Sequence, residues 1–565
     1  DFTDRLLASF DNLDEMTDGL LVHSENWQAL NLLQEKYRER VKCIYIDPPY
    51  NSKASEIVYK NNYKHSSWLS LMANRLSFTF NCLKDDGVLV CAIDENEQER
   101  LGLLFEHLFP EAERTCITVV HNPRGIQGKG FSYTHEFAYF LHKAGLELGP
   151  RELPNAKAKP LMKTGSESER ETAKNCFYPI FVKGSYVVGF GSIPPDDFHP
   201  NAPVRTLKGG KKELWPISSD GRERKWRYAR HSIERVADQL EVREGHGGLP
   251  VIYLRKEREA YRTVWSDAEF NAAEYGSTLL KNIIPEADFS FPKSIWTVYH
   301  SLKAAKVAHI DLVLDHFAGS GTTGHAVINL NREDGGRRKF ILVEMADYFD
   351  TVLLPRIKKV TFTPEWKDGK PKRMATAEEA KRSPRIVKVI RLESYEDALN
   401  NLTFDEESGQ KALELFKDEY LLSYMLKWET RHSETLLNVE KLQSPFSYKL
   451  HLHRDGETRE RPVDLPETFN YLLGLDVQTR RVLDDDGRRY LVYRGTLRNG
   501  RTVVVIWRET QGWTEADYQR DCDFVKEQKL AEGADEVFVN GDSCIPGARS
   551  LDSLFKARMF AGGEA

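Results

Sequence analysis

The chain has 565 residues, of which 40% are hydrophobic and 29% are charged. Since a single hydrophobic core rarely organises more than about 250–300 residues, this length predicts several domains. No apolar run approaches the roughly 20 residues that cross a bilayer, so we expect no membrane span. A formal net charge of −6 argues against a uniformly basic protein that coats nucleic acid. Binding to nucleic acid would therefore require a local basic surface.

Seven cysteines are present without any C-x-x-C pair. An odd number with no paired spacing indicates reduced thiols, which is typical of a cytoplasmic protein, and argues against a structural zinc site. We therefore predict a cytoplasmic location and no metal ion.

The first 145 residues alternate between strand and helix patterns. Apolar, β-prone runs indicate buried strands, and apolar residues at a spacing of three and four indicate amphipathic helices. This alternation predicts an α/β fold built on a doubly wound, mostly parallel sheet. The predicted strands are 20–23, 41–46, 88–93 and 137–141, and the predicted helices are 26–38, 67–83 and a third that is capped by 94–97 and runs to Phe109.

The strand at 41–46 runs into Asp47-Pro48-Pro49-Tyr50. Proline cannot continue a central strand, because it has no backbone N–H to donate. Open α/β sheets bind ligands beyond the carboxyl ends of their strands, so a carboxylate, a carbonyl and an aromatic ring are expected at a cleft. Such a set can bind an exocyclic amine on a base that has left its duplex. Taken alone, the four residues are equally compatible with a plain Pro-Pro turn.

A glycine-rich, basic loop follows at 122–133. It lacks the G-x-x-x-x-G-K-[ST] phosphate motif, which is absent from the whole chain, so no nucleotide-hydrolysing motor is visible. We predict that this loop closes over a ligand or a DNA backbone, with Arg124 and Lys129 as contacts.

The strand and helix pattern stops between about 146 and 289. Within it, residues 205–235 hold ten Lys/Arg and four acids, a local balance of +6, with aromatic residues interleaved. Basic and aromatic residues together are typical of a DNA-contacting surface, although a solvated basic helix has the same composition. The predicted DNA contacts in this window are Arg222, Arg224, Lys225, Trp226, Arg227 and Arg230.

The pattern resumes with a strand, a glycine turn and a helix. Residues 319–324 fit G-x-G-x-x-G, in which glycine lets a ligand approach the backbone closely. Glu344 ends the next strand, twenty residues after Gly324, where a carboxylate can hold ribose hydroxyls. A nicotinamide dehydrogenase and a methyltransferase both use such a turn. The form Asp315-x-Phe317-x-Gly319-x-Gly321 and the upstream Asp47-Pro48-Pro49-Tyr50 favour the methyltransferase.

Together these motifs resemble the β group of DNA amino-methyltransferases, and more narrowly the Mod subunits of type III restriction-modification systems. In that group the Asp-Pro-Pro-Tyr motif precedes the Phe-x-Gly-x-Gly motif, with target recognition between them. The likeness covers about 20–145 and 285–360. Shorter matching stretches are 61–63, 68–72, 75–76, 93–97, 131–136 and 291–294.

The resemblance implies a role for each matched residue. In the catalytic motif Asp47, Pro48, Pro49 and Tyr50, the Asp47 carboxylate and the Pro48 carbonyl accept hydrogen bonds from the target amine, and Tyr50 stacks on the base. Glu25 stands where relatives have an aspartate, so its contact is left open. The implied S-adenosylmethionine site comprises Asp315, Phe317, Ala318, Gly319, Ser320, Gly321, Thr322, Glu344 at the ribose, Lys293 in the segment over the methionine part, and Asn26.

The reaction implied is methyl transfer to adenine N6 in double-stranded DNA after base flipping, within a prokaryotic restriction-modification or antiphage system. Cytosine N4 presents the same amine geometry and is the alternative base. A different alternative is that the chain serves mainly as the DNA-reading subunit of a larger restriction complex. We expect a homodimer, with an endonuclease-helicase (Res-like) subunit as a further partner.

The predicted domain limits are 1–145 and 285–365 for the two catalytic halves, 146–284 for target recognition and 366–565 for a C-terminal domain. The last contains an amphipathic run at 413–430 and strand-like runs at 490–493, 502–507 and 537–542. A third, small α/β domain fits this pattern. Its predicted role is structural or partner docking, with a nuclease as the third alternative.

Overall fold

The computed structural model describes residues 2–51, 64–127, 130–153, 157–165, 167–245, 248–402, 433–454 and 456–560. Two compact units are present: Asp1–Leu148 with Arg262–Ala565, and the inserted Gly149–Tyr261. Residues 262–284 and 366–565, which were predicted to belong to the recognition and C-terminal domains, therefore group with the catalytic halves. Lys129, the matched stretch 61–63 and the predicted helix 413–430 lie outside the described residues.

A nine-stranded sheet forms the centre of the first unit. Its strands are β1 Thr17–His23, β2 Val41–Ile46, β3 Leu83–Ile93, β4 Ala112–Val119, β5 Glu136–Lys143, β6 Val264–Trp265, β7 Leu312–Asp315, β8 Lys339–Glu344 and β9 Ile386–Arg391. Their order is β6-β4-β5-β3-β2-β7-β8-β1-β9. Within the described chain, β5 alone runs antiparallel to its neighbours, because it follows β4 through a loop instead of a helical crossover. The predicted mostly parallel α/β fold is confirmed.

Helices cover this sheet. All six residues of β2 are buried, as expected for a strand covered on both faces. Trp68, Met72 and Leu76 of the second helix pack with Leu30 and Leu33 of the first in the same apolar core. Among the described residues up to 402, the α-helices of nine residues or more are α1 Asn26–Tyr37, α2 Lys64–Cys82, α3 Gln98–Leu108, α4 Ile295–Ala304, α5 Thr322–Asp334 and α6 Leu354–Phe362. Shorter helices are Phe2–Ala8, Leu13–Met16, Leu279–Ile283, Ala377–Arg382 and Tyr395–Asn400.

The C-terminal part of this unit is a smaller α/β layer. Its five-stranded sheet has three antiparallel strands followed by two parallel ones, with an apolar cluster on each side. The strands are Asp476–Asp485, Arg488–Thr496, Thr502–Arg508, Glu536–Val539 and Ala548–Ser550, and the helices are Leu465–Leu473, Glu515–Glu527 and Asp552–Phe560.

The inserted unit is built from small antiparallel sheets around its own core. One sheet has the order Tyr186–Phe190, Ile180–Lys183, Lys212–Leu214, Val204–Thr206, and another has Leu240–Glu244, Pro250–Leu254, Lys159–Pro160. The strands Pro150–Glu152 and Arg258–Ala260 pair where the chain enters and leaves the unit.

Three findings bear on the remaining expectations. All seven cysteines are free thiols. Among the residues with described positions, no cluster of three or more His, Cys, Asp or Glu is arranged to hold a metal ion. Over the same part of the chain, none of the helices combines the length and apolarity needed to cross a bilayer.

Candidate active site

The loop after β2 is held in place from two sides. The Trp68 indole Nε1 donates to the Pro49 carbonyl at 2.7 Å. Asn51 adopts a left-handed backbone with φ of 57°, and its Nδ2 donates to Glu97 Oε1 at 2.5 Å. His65 Nδ1 lies at the same distance from that oxygen. Glu97 was predicted to help cap α3, but the structure gives it no side-chain capping bond and uses its buried carboxylate to anchor the loop.

Asp47 and Tyr50 meet a lysine and a second carboxylate at the end of this loop. Asp47 Oδ1 accepts from the Tyr50 hydroxyl at 2.5 Å and lies 3.3 Å from the Lys293 ammonium. Lys293 Nζ also contacts the Tyr50 oxygen, and it lies 2.5 Å from Glu136 Oε2. The lysine and Glu136 side chains are 10% and 7% exposed, whereas Asp47 is 27% exposed. Of the two carboxylates, Asp47 is therefore the more open to a ligand.

Burial sets the charge balance of this cluster. It raises the pKa of Asp47, and the nearby Lys293 ammonium opposes that rise without cancelling it. For Lys293 the nearby charges outweigh burial. Burial acts to lower its pKa, but the Asp47 and Glu136 carboxylates together raise that pKa above its usual value. The lysine consequently stays charged between two carboxylates.

The glycine turn after β7 is braced by Asp315. Gly319 and Gly321 have φ of 53° and 80°, in the left-handed region where a side chain would be strained. The Asp315 carboxylate accepts from the Phe317 amide at 3.0 Å and from the Thr323 hydroxyl at 2.6 Å. Burial raises its pKa to about 7. The Asp315 side chain therefore fixes the backbone of the turn through these two hydrogen bonds.

The side chain of Glu344, the last residue of β8, connects the glycine turn to that strand. Its carboxylate accepts from the backbone amides of Gly319 at 2.9 Å, Met345 at 2.9 Å and Ala346 at 3.0 Å. Burial raises its pKa, and these amide donors oppose the rise. The amide of Ala318 donates to the Val343 carbonyl, which fixes the same turn against β8.

Arg356 is a buried residue that none of the sequence motifs indicates. Its guanidinium donates to the Ser320 hydroxyl at 2.8 Å and the Thr322 hydroxyl at 2.9 Å. Burial lowers its pKa to about 9. Because these two hydroxyls are occupied by Arg356, Ser320 and Thr322 support the glycine turn through their side chains. No local signal in the sequence links α6 to this turn.

Asn26 and Glu25 occupy the start of α1. Asn26 Nδ2 lies 3.4 Å from the His316 carbonyl, and its oxygen accepts from Arg75 Nε at 3.0 Å. Glu25 pairs with Arg75 at 2.7 Å and accepts from the Trp27 amide, so it caps the helix. The longer carboxylate at this position therefore has a structural role.

The two motifs converge at one edge of the sheet. Strands β2 and β7 are parallel neighbours, with Ile44 aligned to Leu314. Asp47 and Asp315 therefore leave adjacent strands at their carboxyl ends, where open α/β sheets bind ligands. The Asp47 charge contributes to the raised pKa of Asp315, in keeping with their proximity.

Two predicted DNA contacts in the inserted unit belong to its core. Trp226 is 4% exposed, and its indole donates to the Tyr178 carbonyl at 2.7 Å. Lys225 is also buried and donates to the Thr172 hydroxyl at 2.7 Å. We correct their assignment, because side chains enclosed in this way do not present a surface to phosphates or bases.

The predicted arginines fall into two groups. The side chains of Arg224 and Arg230 are partly buried, and they donate to Ser168 and to the Gly191 carbonyl. Arg222 and Arg227 are exposed. The segment is extended and bent, with no helix through 222–230, so the solvated-helix alternative does not apply. In the first unit, Arg124 is exposed beside the short hairpin of Ile126–Gln127 and Ser132–Tyr133.

Comparison with known proteins shows the family of the chain. The profile of the N6_N4_Mtase family of DNA methylases matches residues 41–352, which is more than half of the chain. The chain belongs to this family. The predicted resemblance is confirmed.

The relatives include both Mod subunits and a type II enzyme. The type III EcoPI Mod subunit of Escherichia phage P1 is 27% identical over 58% of this chain and 57% of its own length. The type II methyltransferase M.KpnI of Klebsiella pneumoniae is 28% identical over 60% and 85%. The chain thus spans little more than half of that Mod subunit. The solved structure of the M1.HpyAVI-SAM complex is 13% identical over 60% of this chain and 98% of its own, with a TM-score of 0.30.

Proposed function

We propose that this protein is a DNA methyltransferase that transfers a methyl group from S-adenosylmethionine to N6 of adenine in double-stranded DNA. The observation that carries the proposal is the meeting of Asp47 and the glycine turn at the ends of two adjacent parallel strands. One loop has the groups to receive an amine, and the other has those to receive an adenosine.

The catalytic loop activates a poor nucleophile. The lone pair of an exocyclic amine is delocalised into its ring, so the nitrogen attacks slowly. Hydrogen bonds from the amine to the Asp47 carboxylate and the Pro48 carbonyl favour a pyramidal nitrogen and localise that pair. Tyr50 stacks on the extruded base, and the anchored loop holds the amine in line for transfer. Positioning and electrostatics supply the acceleration without a covalent intermediate.

The residues at the glycine turn fit the proposed cofactor. Bound S-adenosylmethionine supplies an electrophilic methyl on a sulfonium. At the turn, a Cβ on Gly319 would lie 3.2 Å from the Phe289 ring, a close contact, and the φ of 53° at this residue also disfavours a side chain. The Phe289 and Tyr348 rings meet edge to face, with centroids 4.9 Å apart. Glu344 has the carboxylate that ribose hydroxyls require, and the Asp47 charge suits a nearby sulfonium.

Adenine is favoured over cytosine because the sequence resembles type III Mod subunits, and relatives bearing that name are among the similar proteins. We further propose that the enzyme is prokaryotic and cytoplasmic. Its proposed functional domains are those predicted from the sequence: 1–145 and 285–365 for catalysis, 146–284 for target recognition and 366–565 for the C-terminal domain. The proposed DNA contacts are Arg124, Arg222 and Arg227, to which Lys129, Arg224 and Arg230 are added from the sequence. Sequencing the DNA of a host that expresses this chain alone, with detection of modified bases, tests base and autonomy together. Modification at cytosine N4 would replace the assigned base.

A homodimer and a Res-like partner are also proposed. Relatives of both kinds, a subunit of a type III enzyme and a type II methyltransferase, leave a stand-alone enzyme as the second candidate. Co-purification with a large ATPase would favour the complex. Methylation by the purified chain without such a partner would favour the stand-alone enzyme.

Asp47→Ala tests the catalytic assignment. Because the variant loses the acceptor for the target amine, methyl transfer should fall by about two to three orders of magnitude or more. Binding of S-adenosylmethionine should stay nearly unchanged. Incorporation of tritiated methyl groups into DNA measures the first, and calorimetry measures the second.

A matched control is Asp85→Ala, which removes a carboxylate that is 93% exposed and belongs to β3. We expect wild-type incorporation from this control. Transfer by Asp47→Ala at the wild-type rate would refute the assignment.

A further inference from the structure

Glu136 is a buried carboxylate that the proposed mechanism does not use. It is the first residue of β5, and since β5 is antiparallel, its beginning lies at the edge where β3 and β4 end. Its Oε2 is 2.5 Å from the Lys293 ammonium and 3.4 Å from the Tyr50 hydroxyl. Two carboxylates, Asp47 and Glu136, therefore share one lysine.

This arrangement creates a competition at Asp47. The Tyr50 hydroxyl and the Lys293 ammonium both reach Asp47 Oδ1, on the carboxylate that the target amine must reach. An ammonium binds a carboxylate more strongly than a neutral amine does, because its hydrogen bond is charge-assisted. If Asp47 were the only carboxylate near Lys293, the lysine would oppose docking of the base.

The distances show which carboxylate holds the lysine more closely. Lys293 Nζ is 2.5 Å from Glu136 but 3.3 Å from Asp47. With Lys293 and Glu136 paired, their charges balance and Asp47 keeps its negative charge for the incoming amine. The Glu136 side chain is almost completely enclosed, whereas Asp47 retains exposed surface, so the pair forms on the protected side of the cluster.

We propose that Glu136 is a positioning residue that draws the Lys293 ammonium away from Asp47, so that the exocyclic amine of the target base can take its place. This inference rests on the proposed function. It assigns a role to a pair separated by 157 residues along the chain. In this proposal the Lys293 ammonium lies near Asp47 before DNA binds, and Glu136 holds it when the target amine arrives.

Three variants test the inference: Glu136→Gln, Lys293→Met, and the two combined. Glutamine keeps the size of Glu136 but removes its charge, so Lys293 should turn to Asp47 and compete with the base. The KM for DNA should then rise on the order of tenfold, with a smaller change in kcat. In the double variant the competing ammonium is gone, so its KM should lie between those of the wild type and Glu136→Gln. Lys293→Met alone leaves two carboxylates without their cation and should be impaired.

The assay is tritiated methyl incorporation into plasmid DNA from a host without DNA methylation. It is run at saturating S-adenosylmethionine, with cofactor affinity measured separately by calorimetry. A purely structural role for Glu136 would make the double variant at least as impaired as Glu136→Gln, and that result would overturn the inference alone. Absence of methyl transfer by the wild-type protein to DNA of any origin would overturn the proposed function and, with it, this inference.

Discussion

Two buried lysines, Lys293 of the first unit and Lys225 of the inserted unit, have different surroundings. At the edge of the central sheet, one lysine lies between two carboxylates, and the more exposed of them ends a strand where ligands bind. In the inserted unit, Lys225 is buried against a neutral hydroxyl, and the partly buried Arg224 contacts two serine hydroxyls and Asp220. The comparison teaches that position relative to a strand end indicates function better than local charge does. Interleaved lysines and tryptophans can serve a core as readily as a surface.

The largest effect that separates the two regions is expected from Trp226→Ala. Removal of this buried indole leaves a cavity and an unpaired Tyr178 carbonyl, so the inserted unit should lose about 3–5 kcal/mol of unfolding free energy. Chemical denaturation of the full chain, followed by tryptophan fluorescence and circular dichroism, measures the loss.

Tyr186→Ala is the control for this substitution, because Tyr186 is an aromatic of the same unit that is 75% exposed. We expect its unfolding free energy to stay within about 0.5 kcal/mol of the wild type. The comparison of the two regions would fail if Trp226→Ala left stability intact and weakened DNA binding, since Trp226 would then act as a surface residue.

Asp315→Asn should have the next largest effect, and it concerns pH. The pKa of Asp315 is about 7 in the folded protein, against 3.8 ordinarily. The folded state therefore binds this proton more tightly than the unfolded chain does. Its stabilising contribution is complete below about pH 4 and is lost as pH rises to about 7. Asparagine can still accept from the Phe317 amide and donate to Thr323, but it does not titrate.

The measurement is the free energy of unfolding for both proteins from pH 4 to pH 8. The difference, variant minus wild type, should increase by a few kcal/mol across the window from about 4 to 7 and then level off. Parallel curves would show that Asp315 has an ordinary pKa in the folded protein. That result would also remove the contrast between a titrating buried carboxylate at the sheet edge and the neutral contact of Lys225 in the inserted unit.

Local pattern was sufficient for six of the nine strands of the central sheet and for both motifs, whereas β4, β6 and β9 were not predicted. The apolar run 41–46 and the prolines after it fix where β2 ends, and a helix follows the glycines at 319–324. Element starts were less accurate: α2 begins at Lys64 and not at 67, and β3 begins at Leu83 and not at 88. At both starts the additional residues are largely polar, so they add nothing to the apolar pattern on which the prediction rests.

The partners of the motif residues could not be predicted, because they come from distant parts of the chain. Glu136 and Lys293 meet across 157 residues, and Arg356 reaches Ser320 from α6. The residue types carry no spacing that links them. In the inserted unit the failure has another cause: Trp226 has the same composition signal whether it packs inward or faces DNA, and only the tertiary fold decides.

The smallest effect should come from the exposed arginines of the inserted unit. It tests whether exposed and buried cations of that unit differ in DNA binding. Arg222 and Arg227 differ from their buried neighbours in having side chains at the surface. If they contact phosphates, replacing both with glutamine should weaken DNA binding modestly and uniformly across sequences. Stability should fall by no more than about 1 kcal/mol, since Arg227 also donates to the Pro160 carbonyl at 2.8 Å. The slope of log K against log salt concentration should become shallower by about one unit for each lost contact.

Lys225→Met is the matched control. It removes a cation two residues from Arg227 that is already bonded to Thr172, so stability should fall and the salt slope should stay unchanged. The opposite pattern, an unchanged slope for the arginines and a shallower one for Lys225→Met, would mean that burial in this unit does not distinguish structural cations from those that bind DNA.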